Sequence, residues 1–168
     1  MSEVDRMAKV ILICGKIASG KSYYANQIKD KEKAVILNTD ELTYALFDNE
    51  QGDKYEERVN RANNYLMKKT VEIVKAECSV ILDWGFWTIK SRDEITKYFH
   101  SNNIKVEWHY LDVDDEVWNK NIEERNIKVE KENGVFDFYV TEGLKNKVLS
   151  MFEKPSKEEI DIWYKLDR

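Results

Sequence analysis

Apolar residues follow two rhythms along this chain. Ala8 to Cys14 (AKVILIC), Ala34 to Leu37 (AVIL), Ser79 to Leu82 (SVIL) and Ile104 to Leu111 (IKVEWHYL) are short runs rich in β-branched residues, followed by Gly15, Asn38, Asp83 and Asp112. Continuous runs of this kind suit strands buried on both faces of a parallel sheet. Between them the spacing lengthens to three and four residues. Gly20 to Lys29, Ser91 to His100 and Asp115 to about Arg125 read as helices, and so does Asp53 to about Ala76, where Tyr55, Val59, Ala62, Leu66, Ile73 and Val74 recur among charged residues. Strands alternating with helices predict an α/β layer structure with a mainly parallel sheet.

The C-terminal third carries weaker signals. Glu130 to Asp137 (EKENGVFD) reads as a polar loop, Thr141 as the cap of a helix running to about Phe152, and Pro155, the only proline, as its stop. Ile160, Ile162, Tyr164 and Leu166 alternate as in a last strand, although Glu158-Glu159 also suits a helix start. No repeat, linker or low-complexity segment interrupts the chain, so 1–168 reads as one domain.

Composition narrows the class. The chain has 168 residues, 42% of them apolar and 12% aromatic, enough for one closed core despite 35% charged residues. A net charge of -5 lacks the basic excess of proteins that live on nucleic acid or anionic membranes, so nucleic acid is not a favoured partner. Cys14 and Cys78 are the only cysteines, and their place in or beside apolar runs suits reduced, buried thiols. No apolar stretch approaches the ~20 residues that span a bilayer, and the expected location is the cytoplasm.

Gly15-Lys16-Ile17-Ala18-Ser19-Gly20-Lys21-Ser22 fits G-x-x-x-x-G-K-[ST], directly after the first strand and before a helix. The glycines let backbone N–H groups turn inward around a phosphate, and the helix N-terminus adds its positive end. The expected nucleotide contacts are Gly15, Lys16, Ala18, Ser19, Gly20, Lys21, Ser22 and the following Tyr23. Lys21 is expected between the β- and γ-phosphates, and the Ser22 hydroxyl on Mg²⁺.

Polar residues at the other strand ends select among nucleotide-binding proteins, since these ends hold ligands in open α/β sheets. The guanine-reading N-K-x-D motif is missing: neither Asn119-Lys120 nor Asn146-Lys147 has an Asp two places on. Asp40 after the second strand reads as an acceptor-side general base or as a helix N-cap. Asp83 after the third reads as a metal-side acid or as a turn residue. Trp84 and Phe86 read as walls of an acceptor pocket or as packing, and Trp87 as packing. Arg92 is a candidate phosphate contact, Arg125 a cationic group closing on the nucleotide, and Lys128 and Lys131 further cations in a mobile segment.

These motifs together resemble the small AAA_33-type P-loop kinases, which look related to zeta-toxin kinases, chloramphenicol phosphotransferase and the 5′-kinase domain of polynucleotide kinase. The resemblance rests on the phosphate loop, Asn38-Thr39-Asp40, Leu82 to Trp87 with Arg92, Tyr110 to Val113, Arg125-Asn126 and Phe152 to Pro155. It implies a three-layer P-loop NTPase sandwich with strand order 2-3-1-4-5 and a small helical lid. It further implies ATP with Mg²⁺, Asp40 as base, Arg125 as a lid arginine, and γ-phosphoryl transfer to a hydroxyl. Many relatives carry a second arginine one turn before the Arg-Asn pair; here that place is Asn121. The acceptor expected is a small molecule, with a polynucleotide 5′-hydroxyl or a purely regulatory nucleotide-binding role as alternatives. Oligomeric state is not legible.

Overall fold

The computed structural model describes residues 7–48, 52–132 and 138–166. Five strands, β1 (Val10–Cys14), β2 (Ala34–Leu37), β3 (Ser79–Gly85), β4 (Val106–Val113) and β5 (Ile162–Leu166), form one sheet in the order β2-β3-β1-β4-β5. Every neighbouring pair is parallel. This is the strand order expected from the sequence.

The helices are α1 (Lys21–Glu32), α2 (Thr39–Phe47), α3 (Tyr55–Lys75), α4 (Ile89–Ser101), α5 (Asp115–Lys131) and α6 (Glu142–Met151). Residues of β1 alternate between two cores, as strand geometry requires. Val10, Leu12 and Cys14 pack with Val74 of α3 and with Ile95 and Phe99 of α4. Ile11 and Ile13 face Tyr24 and Ala25 of α1. A third cluster joins Val113 to Trp118 and Ile122 of α5 and Val148 of α6, which stand over the end of the sheet as the helical lid.

Several boundaries move. Asp83 lies inside β3 rather than beyond it, because pairing with β1 carries the strand on to Gly85. The fourth helix in the mixed sequence pattern, α5, does not stop near Arg125 but continues to Lys131, so Lys128 and Lys131 are helical. Of the loop expected over 130–137, residues 133–137 lie outside the described residues. Cys14 is buried, as expected, but Cys78 is only half-buried.

Arg92 has a structural assignment in place of the expected phosphate contact. It is 2% exposed, pairs through Nε with Glu159 Oε2 at 2.9 Å, and donates from Nη1 to the carbonyls of Phe86 (3.1 Å) and Glu153 (3.0 Å). It therefore joins α4 to the turn after β3 and to the segment before β5. Phe86 is buried as well, edge-on to Trp108 at 5.1 Å, and belongs to the core rather than the cleft. Removing Arg92 strands the carbonyls of Phe86 and Glu153, while Glu159, 33% exposed, turns to water. Arg92→Met should lower unfolding free energy by about 1–3 kcal/mol in urea titrations; a loss within the scatter of surface substitutions would contradict this assignment.

Candidate active site

Gly15 to Ser22 wraps the carboxyl end of β1. A side chain at Gly15 would put its Cβ 2.7 Å from the Ser19 hydroxyl, and Gly20 has φ of +92°, so the close approach of the buried Ser19 side chain favours the first glycine and backbone conformation the second. The loop is fastened on two sides. Gly15 N–H donates to the Gly85 carbonyl at 3.0 Å, and Trp118 of α5 donates from its indole to the Ile17 carbonyl at 2.7 Å. The Lys16 side chain turns toward α5, 3.2 Å from Asp115 and over the Trp118 ring, so only its backbone remains with the loop. Ser19 is buried beneath the loop, whereas Tyr23 is exposed at the cleft rim.

Lys21 folds back over the loop, donating to the carbonyls of Lys16 (2.6 Å) and Gly15 (3.2 Å). Burial of its ammonium pushes its pKa down to about 8, against the pull of Asp83 and with the push of Arg125. At the next residue, Ser22 Oγ donates to Asp83 Oδ2 at 2.8 Å. Asn38 Nδ2 donates to the other carboxylate oxygen at 2.7 Å. Asp83 is 6% exposed; burial raises its pKa while Ser22, Lys21 and Asn38 oppose the rise.

The same Asn38 caps α2, its side-chain oxygen accepting from Glu41 N–H at 2.9 Å. Asp40 is consequently not the cap. It sits in the first turn of α2, half-buried, on the wall of a cleft of about 890 Å³. Asn38 is the main residue that the site gains over the sequence reading. Its signal was available, since Asn followed three residues later by Glu has the spacing of a capping box.

Among the expected groups, the cleft gathers Ala18, Gly20, Lys21, Ser22, Tyr23, Asp40, Asp83, Trp84 and Arg125, and not Gly15, Lys16, Ser19, Arg92 or Phe86. Trp87, expected to be packing only, lines it as well. Asn121, Arg125 and Lys128 present one face of α5 to it, whereas Lys131 lies beyond. Ser22 and Asp83 offer adjoining hard oxygen donors at the edge of the phosphate loop. This fits Mg²⁺, which takes few protein ligands and completes its shell with phosphate and water. Groups of three or more metal-binding side chains are absent among the described residues.

The AAA_33 model, described as an AAA domain, matches residues 10–137, and the chain belongs to that family. Among solved structures it is similar to a chain of the Pnkp1/Rnl/Hen1 RNA repair complex, with 18% identity and a TM-score of 0.69 over 89% of this chain and 45% of that one. This chain thus spans less than half of that relative. A gluconokinase from Sinorhizobium meliloti 1021 gives 16% identity and a TM-score of 0.65, covering 98% of this chain and 86% of that one. The Mycobacterium tuberculosis APS kinase CysC in complex with AMPPNP and APS gives 16% and 0.66, covering 98% and 91%. At these identities the likeness is one of fold, and the fold is that of P-loop kinases. A search of curated protein sequences gives no match. No helix among the described residues is long and apolar enough to cross a membrane.

The depressed Lys21 pKa has a stability consequence of definite sign. The unfolded chain holds this proton up to about pH 10.5 and the folded chain only to about 8, so the burden of a buried ammonium is full below pH 8 and is relieved as pH rises toward 10.5. Lys21→Met should make the nucleotide-free protein more stable at pH 7, by about 1–3 kcal/mol. The advantage should shrink between pH 8 and pH 10 in denaturant titrations. A gap that does not change with pH would show that the ammonium is not burdened.

Proposed function

We propose that this protein is an ATP- and Mg²⁺-dependent phosphotransferase that moves the γ-phosphoryl group to a hydroxyl of a small molecule. The observation that carries the reading is the shared cleft: the phosphate loop with Lys21, the Ser22–Asp83 oxygen pair and the Asp40 carboxylate all open onto it. A protein that only binds nucleotide has no use for a further acid on the far side of that cleft. The overall charge of -5 supports a small acceptor over a polynucleotide.

In this reading the N–H groups of 15–22 and the start of α1 cradle the β- and γ-phosphates, and Lys21 leaves the loop carbonyls for the phosphate oxygens. Negative phosphate restores the stability of its protonated form. Ser22 and a water held by Asp83 would carry Mg²⁺, which when bound neutralises charge on the phosphate oxygens. Asp40 orients the acceptor hydroxyl and takes its proton. The acceptor oxygen bonds to the γ-phosphorus, the bond from that phosphorus to the bridging oxygen breaks, and ADP leaves with the bridging oxygen. Arg125, from α5, faces the equatorial oxygens, where charge is spread in the transition state. The cytoplasm, where ATP is abundant, is the compartment this reading calls for.

The test is ATP-dependent transfer to a panel of metabolites, sugars, nucleosides, antibiotics and 5′-hydroxyl oligonucleotides, with product identified by mass. With the acceptor in hand, Asp40→Asn should reduce kcat by roughly 10²- to 10⁴-fold while MgATP affinity changes little. Since Asp40 is not the cap, the substitution should cost the charge's interaction with the α2 dipole, about 0.3–1 kcal/mol, together with its attraction to Lys21. Wild-type turnover in Asp40→Asn would remove it as base. Arg125→Ala should depress kcat more than it raises the KM for ATP; a change in KM alone would make the arginine a ground-state nucleotide contact.

A further inference from the structure

Helix α5 meets the phosphate loop through a side chain that stands outside the cleft. Trp118, Asn121, Arg125 and Lys128 recur at steps of three, four and three residues, so they form one stripe on the helix. Asn121, Arg125 and Lys128 line the cleft; Trp118, at the near end of the stripe, is 1% exposed and does not. Its indole N–H donates to the Ile17 carbonyl at 2.7 Å. Ile17 and Ala18 pack against the cluster that Trp118 shares with Ile122 of α5, Val140, and Val148 of α6. A second tie between loop and helix, Lys16 with Asp115, involves an aspartate that is 82% exposed, and such pairs contribute little.

The carbonyl that Trp118 holds lies at a strained point of the loop. Ala18, the next residue, has φ of 56°, in the left-handed region that a side chain makes costly, and such backbone persists only where its surroundings hold it. Lys16, the residue before, gives its carbonyl to the Lys21 ammonium at 2.6 Å. Two successive carbonyls thus serve two partners: the ammonium that a phosphate would draw away, and the helix that carries Arg125. The Arg125 charge reaches the same ammonium, whose pKa it helps to depress. Arg125 lies two helical turns, ~10 Å, beyond Trp118 on one continuous helix. At the next residue, Asn126 grips the Val140 backbone in both directions, donating to its carbonyl at 3.0 Å and accepting its N–H at 2.7 Å. A displacement of the loop is in this way passed to Arg125 by a stiff element gripped at two places.

We infer that Trp118 is a positioning residue for phosphoryl transfer: its hydrogen bond to Ile17 couples the occupied phosphate loop to α5 and so sets where Arg125 stands against the transferring phosphoryl group. Trp118 itself touches no ligand. This inference rests on the phosphotransferase reading and adds to it the link between the loop that binds nucleotide and the helix that closes on it.

The experiment needs no acceptor. Calorimetry measures affinity for Mg-AMPPNP, a ground-state analogue, and for Mg-ADP with aluminium fluoride, in which the fluoride complex stands in for the transferring phosphoryl group. Trp118→Phe keeps most of the buried ring while deleting the donor. It should lower the preference for the fluoride complex over AMPPNP by about three- to tenfold, the size of one lost hydrogen bond. Arg125→Ala should lower it further, and in that background Trp118→Phe should change it by less than about twofold, since the two act in one chain of contacts. Equal losses for both ligands in Trp118→Phe, or the same loss with and without Arg125, overturn the inference, because the indole then braces the loop alone. Val148→Ala loosens the same cluster without touching the bond, and should leave the preference unchanged. A drop matching that of Trp118→Phe would make the effect one of lid packing and overturn the inference as well.

Wild-type protein that binds Mg-AMPPNP but does not prefer the fluoride complex overturns the inference and leaves nucleotide binding standing. Failure to bind Mg-AMPPNP at all defeats the phosphotransferase reading itself, and this inference with it. If Trp118→Phe does not fold, the wild type decides by NMR: the Trp118 indole N–H resonance should differ between the AMPPNP and the fluoride complexes. An indole resonance that is the same in both overturns the coupling.

Discussion

The site is organised by a carboxylate that the chain has buried. Asp83 is 6% exposed, and an acid in that position is tolerable only if its oxygens are bonded. One accepts from Ser22, the other from Asn38. Ser22 lies in the first turn of α1 and Asn38 caps α2, so satisfying one acid sets the starts of two helices relative to the middle of the sheet. Asn38 serves twice, since its oxygen accepts Glu41 N–H while its nitrogen donates to Asp83. Losing it would leave a helix terminus and a buried acid deficient together, and those two shortfalls need not add.

Charge balance follows from that arrangement. Lys21 is drawn toward Asp83 and Asp40 yet desolvated and crowded by Arg125, and burial dominates. Its carbonyl partners at Gly15 and Lys16 are neutral. The loop therefore stores an unfavourable cation that an anionic ligand can relieve. Part of the binding free energy for a polyphosphate is in place before it arrives, as the local field of a site whose donors are fixed by β1, β3 and Trp118.

What could be read from the sequence is what depends on local pattern. Buried strands, the α3 stripe and the phosphate loop are each encoded within a few consecutive residues, and the strand order followed from the family resemblance carried by the motifs. The residues whose roles are not legible locally depend on contacts distant in sequence. Arginine at a helix start near a cleft suits a phosphate contact, whereas the partner of Arg92, Glu159, is far along the chain and no periodicity announces the pairing. Phe86 belongs to a turn whose backbone has φ of 47°, which points its ring into the core beside Trp108 while Trp84 stays at the cleft. Asp40 was open between cap and base, and the geometry of Asn38 removes the first of these.

Helices α5 and α3 are both long and polar, yet they turn different residues to the cleft. Helix α5 offers Glu124, Arg125 and Lys128 and is locked to the phosphate loop through Trp118 and Ile17. Helix α3 carries many charges too, but turns Tyr55, Val59 and Asn63 inward, while Arg61 pairs with Glu57 and Lys69 with Glu72 at the surface. Its charged face is spent on solvent and its neutral face on the cleft. Lys21 of the phosphate loop and Asp40 of α2 open onto the same space.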